Sequence, residues 1–259
     1  MLENKIASWI KEYATKANKT SLVVGVSGGI DSAVVSTLCA MTGLKTIGCS
    51  LPIDMREPPP KGKRGKVIDL AMDHLYWLDS HFPKTFDGKS INMTNVFRRF
   101  YKLANQLNDG SDLGFANSRA RIRMMMLYQI AQSNNGLVVG TGNKVEDFGV
   151  GFFTKWGDGG VDISPIGDLY KSEVYELGAS LNILNSIMTA TPIDGLWDDD
   201  RSDENQLGLT YDQLEEAMKF GTGSQHYDRY VELRTANLHK MQPIPVFQNE
   251  ISFDQTEPG

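Results

Sequence analysis

Residues 23–35 read Val-Val-Gly-Val-Ser-Gly-Gly-Ile-Asp-Ser-Ala-Val-Val, with serines, glycines and one carboxylate set between two apolar runs. Gly25, Gly28 and Gly29 let the backbone turn sharply and come close to a ligand. Ser27 and Ser32 offer hydroxyl donors. A helix starting near Asp31 would aim its free N–H groups and the positive end of its dipole at the same turn. An oxyanion belongs there. A Gly-Gly pair alone would be no more than a tight strand–helix connection with a capping Asp or Ser. The full string Gly-x-Ser-Gly-Gly-x-Asp-Ser is far more specific. It is not a Walker loop, because no Gly-Lys-Ser/Thr follows. The usual phosphate-loop lysine is missing, and an aspartate stands nearby.

Other residues could serve the same chemistry. In "VGTGNKVED", residues 139–147, Thr141 can donate to a nucleotide, and Glu146 follows where a helix begins. A first-turn acid also serves the helix dipole without any catalytic part. In "ANSRARIRM" Arg119 and Arg123 lie four apart on one helical face and Arg121 points to the other side. An isolated set of this kind reads equally well as a solvated basic face. Lys155, Asp158 and Asp162 occur in "FFTKWGDGGVD", whose glycines also suit a plain surface turn. Lys171 and His239, each taken alone, suit a helix surface and a helix end. The methionines at 124–126 read as core filling.

These groups need elements to hold them. Residues 2–18 carry Leu2, Ile6, Trp9, Ile10, Tyr13 and Ala17 at helical spacing. "SLVVGV", "TIGCSL" and "LVVGTG" read as buried strands. Helices are expected over 31–42, closed by Gly43, over 67–78, and over "NVFRRFYKLANQL". More are expected over "ANSRARIRMMMLYQIAQSNN", ended by Gly136, over "LYKSEVYELGASL" and "TYDQLEEAMKF", and over roughly 224–240. Apolar strands alternating with helices predict an α/β fold, a parallel sheet covered on both faces. Such sheets bind ligands at the carboxyl ends of their strands. That rule brings the turn after "VVGV" and the turn after "LVVGT" to one edge, with Asp31 and Glu146 on it. Two carboxylates beside one phosphate make a sensible Mg²⁺ clamp.

The 259 residues suffice for one large domain, expected over 1–259, with 1–20 an N-terminal helix and 241–259 an extended tail. A net charge of −6 argues against a general nucleic-acid or membrane-surface binder. Cys39 and Cys49 sit in apolar contexts and read as core thiols. No apolar run approaches the ~20 residues of a membrane span. The first twenty residues lack the apolar core of a secretion signal, so a cytoplasmic location is expected.

The string "GVSGGIDS" resembles the pyrophosphate loop of the N-type ATP pyrophosphatases. That resemblance implies ATP cleaved between its α- and β-phosphates, with Mg²⁺ between the phosphates and Asp31. Further segments narrow it: "NSRARIRM", "GTGNKVED", "GFFTKWGDGGVDISPIGDLYKSEVYEL", "SDENQLGLTYDQLE" and "LHK". Together they are similar to the ammonia-dependent NAD synthetases, in order, from about residue 23 to 240. The resemblance implies a doubly wound, adenine nucleotide alpha hydrolase-like fold and a homodimer. It implies that the carboxylate of deamido-NAD (nicotinic acid adenine dinucleotide) attacks ATP to give an adenylate and pyrophosphate. Ammonia then displaces AMP. By the same resemblance Gly25, Val26, Ser27, Gly28, Gly29, Ile30, Asp31 and Ser32, with Thr141 and Lys171, would contact ATP. Asp31 and Glu146 would hold Mg²⁺. Arg121, Lys155, Asp162, His239 and Lys240 would contact deamido-NAD, and Asp158 would be the ammonia-side carboxylate.

The chain departs from the pattern in two places. Ile193 stands where family members commonly carry Ser or Thr. The insert "MREPPPKGKRGK", with Arg56, Lys61, Lys63, Arg64 and Lys66, follows the second strand. Its cations could reach ATP phosphates or simply keep a loop solvated. Loops 54–66 and 190–206 are candidate lids. No amidase domain with a catalytic Cys is in view, so free ammonia is the expected nitrogen source. Another ATP pyrophosphatase, tRNA-modifying or GMP-synthetase-like, would show a basic face or an RNA- or purine-binding extension. A nucleotide-binding regulator without chemistry would not need both Asp31 and Glu146.

Overall fold

The computed structural model describes residues 1–56, 69–192, 195–197 and 202–248. Lys61, Lys63, Arg64, Lys66 and Ile193 lie outside them, as does the tail from 249 onward. The chain runs α1 (Leu2–Lys16), β1 (Ser21–Gly25), α2 (Ile30–Met41), β2 (Lys45–Ser50), α3 (Leu70–His81), β3 (Phe86–Ser90), α4 (Thr94–Gln106), α5 (Asp112–Ser133) and β4 (Gly136–Val139). A wide, π-type helical segment, Lys144–Val150, follows. Then come α6 (Lys171–Ser180), α7 (Asn185–Met188), α8 (Asp203–Leu207), α9 (Tyr211–Phe220) and α10 (Tyr227–Met241).

The four strands are all parallel, in the order β3-β2-β1-β4. Alternate side chains go to opposite faces, as the two-residue repeat of a strand requires. Leu22, Val24, Leu137 and Val139 pack with Ile6 and Ile10 of α1, Val34 and Leu38 of α2, and Val174 and Leu177 of α6. Val23, Ile47, Cys49 and Val138 pack on the other side with Phe97 of α4 and Met124 and Leu127 of α5. Both faces are therefore covered, which is why these strands are continuously apolar. A smaller apolar cluster joins Val145 and Val150 to Leu207, Tyr211 and Leu214. Cys39 and Cys49 are buried free thiols, and burial pushes both well up in pKa.

Several expectations need correcting. β3, "FDGKS", was not expected; it is an edge strand with one buried side chain, Phe86, so it carries no apolar signature. Asp203–Leu207 forms a short helix inside the stretch expected to be loop, capped by Ser202. α5 begins at Asp112, because Ser111 caps it by accepting from Gly114 N–H. Gly136 opens β4 rather than ending that helix. Met125 is 59% exposed, whereas Met124 is buried as core. No helix among the described residues is long and apolar enough to cross a membrane.

Candidate active site

The chain leaves β1 for β2 on one side of the sheet and reaches β4 on the other. The crevice beyond the carboxyl ends of β1 and β4 is thus the topological switch point, where such folds bind ligands. It holds a cavity of about 490 Å³ lined by Gly25 through Ser32, Thr141, Glu146, Asp158 and Lys171. Every residue expected to contact ATP lines this one space.

The first turn is built for close approach. Gly28 has φ +92°, and a Cβ there would come within 2.9 Å of the Ala71 backbone nitrogen and of Leu70 Cβ. The turn therefore packs directly on the N-terminus of α3. The serines brace it: Ser27 N–H donates to Ser32 Oγ (3.2 Å), Ser32 Oγ donates to Gly29 O (2.9 Å), and Gly29 N–H donates to Ser27 Oγ (3.2 Å). Gly29 is the N-cap of α2 and brings no side chain to cap it. The first-turn N–H groups of α2 consequently stay open to an anion.

Asp31, Glu146 and Lys171 are far apart in sequence and meet at one atom. Lys171 Nζ donates to Asp31 Oδ2 at 2.6 Å and to Glu146 Oε1 at 3.1 Å. Its side chain is only 4% exposed. Burial opposes the charge on Lys171, but Asp31 and Glu146 outweigh it and its pKa is raised. Asn143 orders both carboxylates. Its Oδ1 accepts from Val145 N–H and Glu146 N–H, and its Nδ2 donates to Asp31 Oδ1 at 3.0 Å. Tyr211 donates from its hydroxyl to Glu146 Oε1 at 2.6 Å and lies 3.0 Å from Asp203 Oδ2. Burial and the two carboxylates raise the phenol pKa, so it stays protonated. Ser172 N–H and Oγ both donate to buried Glu215 (2.9 and 2.7 Å), which pins the start of α6 and hence Lys171.

Asn143, Tyr211, Asp203 and Glu215 were not expected as site residues. Asn143 was legible as an N-cap. The others lie in "SDENQLGLTYDQLE", a segment that carries the family resemblance without assigning them a role, and only packing brings them to the site. Asp147 also lines the cavity, and a Cβ at Gly142 would run into its carboxylate. Burial, then the charges of Glu146, Asp158 and Asp31, push its pKa well up.

Among the described residues no three His, Cys, Asp or Glu side chains are arranged to hold a metal ion. Asp31 and Glu146 nevertheless suit Mg²⁺. They are hard oxygen donors converging on one point, and Glu146 Oε2 makes no hydrogen bond among the described residues. Mg²⁺ takes one or two carboxylates and completes its shell with phosphate and water.

The residues expected to contact deamido-NAD lie outside this cavity, in a neighbouring group. Arg121 Nε donates to Lys155 O (3.2 Å), and Lys155 Nζ donates to His239 O (3.3 Å). Lys240 Nζ donates to Phe153 O (2.8 Å) and lies over the Phe153 ring. The segment around Lys155 is thus clasped between α5 and the end of α10. Asp162 is engaged inside the chain: Oδ2 accepts from Val138 N–H (2.7 Å) and Oδ1 from the Tyr128 hydroxyl (3.1 Å). Asp158 is exposed toward the cavity. Protein packed around its carboxyl raises the pKa to about 6, against the Thr154 N–H donated to it. Arg119 and Arg123 do share a face; they donate to Leu196 O and Gly195 O (2.9 and 3.2 Å) and so hold the segment beside the cavity. Arg56 pairs with Asp54.

Known proteins share this chain's sequence and fold. The family described as NAD synthase matches residues 2–245. The NH(3)-dependent NAD(+) synthetase of Carboxydothermus hydrogenoformans is 33% identical over 243 residues, covering 91% of this chain and 92% of that protein. The structure of NMN synthetase from Francisella tularensis superposes with a TM-score of 0.81 at 30% identity, covering 96% and 97% of the two chains. An NH3-dependent NAD synthetase from Campylobacter jejuni gives 0.71 at 23% identity over 95% and 97%, which shows a shared fold. The chain belongs to the NAD synthase family.

Proposed function

We propose that this chain is a ligase that amidates deamido-NAD to NAD with ATP and free ammonia, releasing AMP and pyrophosphate. One observation carries the reading: the Ser27–Ser32 turn, Asp31, Glu146 and Lys171 all meet in one cavity at the switch point. Family membership supports it.

A carboxylate resists attack by ammonia because its leaving group would be oxide. In the first step a carboxylate oxygen of deamido-NAD bonds to the α-phosphorus, and the bond from that phosphorus to the bridging oxygen breaks. Negative charge grows on the departing pyrophosphate. The open N–H groups of α2, the Ser27 and Ser32 hydroxyls and the Lys171 ammonium stabilise it there. Thr141 holds the nucleotide. Bound between Asp31 and Glu146, Mg²⁺ would offset phosphate charge that Asp31 would otherwise repel. In the second step ammonia attacks the acyl carbon, the acyl–oxygen bond breaks, and AMP departs with that oxygen. The nitrogen sheds a proton, for which Asp158, with its pKa near 6, is the acceptor at the cavity wall.

Arg121, Lys155 and Lys240, with His239 beside them, form the surface that receives deamido-NAD. Asp162 contributes by holding β4 and Tyr128 in place. A homodimer accompanies this reading. In its support, Val96, Phe100, Leu103 and Leu107 are all exposed along one stripe of α4 and its end, an apolar face suited to a second copy.

The test is to incubate the chain with deamido-NAD, Mg-ATP and ammonium and follow NAD, AMP and pyrophosphate. Formation of ADP and phosphate, or no amide, refutes the proposal. A second reading, amidation of nicotinic acid mononucleotide, is favoured by the likeness to the Francisella NMN synthetase. Comparing kcat/KM for the two acids decides it. A preference of about tenfold or more for the mononucleotide replaces the dinucleotide as substrate.

A further inference from the structure

Lys171 Nζ occupies the point on which Asp31 Oδ2 and Glu146 Oε1 converge, at 2.6 and 3.1 Å. That point is where a cation shared by the two carboxylates would sit. The ammonium is well held. Its side chain is 4% exposed, it lies 4.6 Å from the centre of the Tyr211 ring, and Glu215 fixes the backbone beside it. Each carboxylate is also held from behind, Asp31 by Asn143 and Glu146 by Tyr211. The pair is thus preorganised around a positive charge that the chain itself supplies.

From this we infer that Lys171 is a built-in stand-in for the metal, and that metal and lysine exchange places when nucleotide binds. The inference rests on Asp31 and Glu146 being the metal ligands. A divalent ion and an ammonium cannot share one position, and side by side they repel. Metal alone therefore has to displace Lys171 with nothing to receive it. The triphosphate supplies that destination: Lys171 swings on its four-carbon stem to a phosphate oxygen, and the metal takes the vacated carboxylates. The metal gains phosphate ligands in the same event. Metal and nucleotide must then bind with strong positive coupling, equal in both directions. Without nucleotide, the lysine keeps the two half-buried carboxylates from facing each other uncompensated.

The test uses Mn²⁺ as the metal probe, with free Mn²⁺ followed by electron paramagnetic resonance and the share bound by nucleotide without protein subtracted, and α,β-methylene-ATP as an uncleavable nucleotide. Wild type should bind Mn²⁺ weakly alone and at least about tenfold more tightly with the analogue. Lys171→Met, checked for native fold by circular dichroism, should bind Mn²⁺ alone at least about tenfold more tightly than wild type. Equal affinities of wild type and Lys171→Met for Mn²⁺ alone, with the wild-type ternary complex still forming, overturn the exchange and leave the metal–nucleotide site intact. No Mn²⁺ binding by wild type even with the analogue overturns the metal-site reading and the exchange with it. If Lys171→Met does not fold, crystals of wild type with and without Mn²⁺ and analogue decide. Nζ on a phosphate in the ternary complex supports the exchange, and Nζ still between Asp31 and Glu146 overturns it.

Discussion

Asp162→Ala separates a structural carboxylate from a substrate-binding one. In the folded chain Asp162 N–H donates to Val138 O (3.0 Å) and its Oδ2 accepts from Val138 N–H (2.7 Å). The carboxylate thus takes the N–H that a fifth strand would otherwise have to satisfy, just before the bridge from Val139 to Ile163. Val138 is 0% exposed but Asp162 itself is exposed, so the loss counted here is that of a hydrogen bond to a charged acceptor, not of a sealed, unpaired donor. Losing a hydrogen bond to a charged acceptor costs about 1.5–3 kcal/mol. For a chain of this size each kcal/mol lowers the melting temperature by about 2–4 °C. Asp162→Ala should therefore melt lower by about 5–9 °C in a thermal scan, taking the middle of that range. Asp162→Asn keeps a carbonyl oxygen and should recover at least about half of the loss. The Tyr128 phenol, now raised to about 12 by burial and by Asp162, should titrate lower in both variants. A wild-type melting temperature in Asp162→Ala, with only the KM for deamido-NAD raised, would refute the reasoning and return the carboxylate to the substrate.

Three further outcomes are expected. Asp31→Asn should keep its fold by circular dichroism and lose turnover by about 10²–10³-fold in steady-state assays, the scale of losing one preorganised charge. Gly28→Ala meets the backbone of Ala71 at φ +92°, so the KM for ATP should rise by about tenfold or more. For Asp158, packing raises the carboxyl from 3.8 to about 6. Its contribution to stability is then full below pH ~4 and lost as pH rises through ~6, where the folded chain must carry the charge. Asp158→Asn should thus melt no lower than wild type at about pH 7, while the acid limb of the rate near pH 6, read in kcat/KM for ammonium, disappears.

Much of the fold was legible because burial on both faces writes itself into composition. The runs over 21–26, 46–51 and 137–142 had to be strands of a covered parallel sheet, and β1, β2 and β4 lie within them or one residue outside. β3 was not legible. An edge strand needs a partner only on one side, and "FDGKS" exposes most of its side chains. α8 is too short for periodicity, and its marks, the Ser202 cap and Gly208 at φ +73°, are those of any turn.

At the site, sequence by itself determined the chemistry on offer. Gly25, Gly28 and Gly29, within the full string Gly-x-Ser-Gly-Gly-x-Asp-Ser before a helix start, suit a backbone that comes close to an anion, and Asp31 beside them called for a cation. It also determined that Asp31 and Glu146 lie on one edge, because parallel strands put their carboxyl ends together. What only the tertiary structure decided is which groups touch. Lys171 reaches across 140 residues to Asp31, Tyr211 across 65 to Glu146, and Asp162 across 24 to Val138. Local patterning carries information over one or two turns of chain. Contacts of that span exist only after the sheet and its helices have packed, and they set which oxygen faces the cavity and which is spent on the fold.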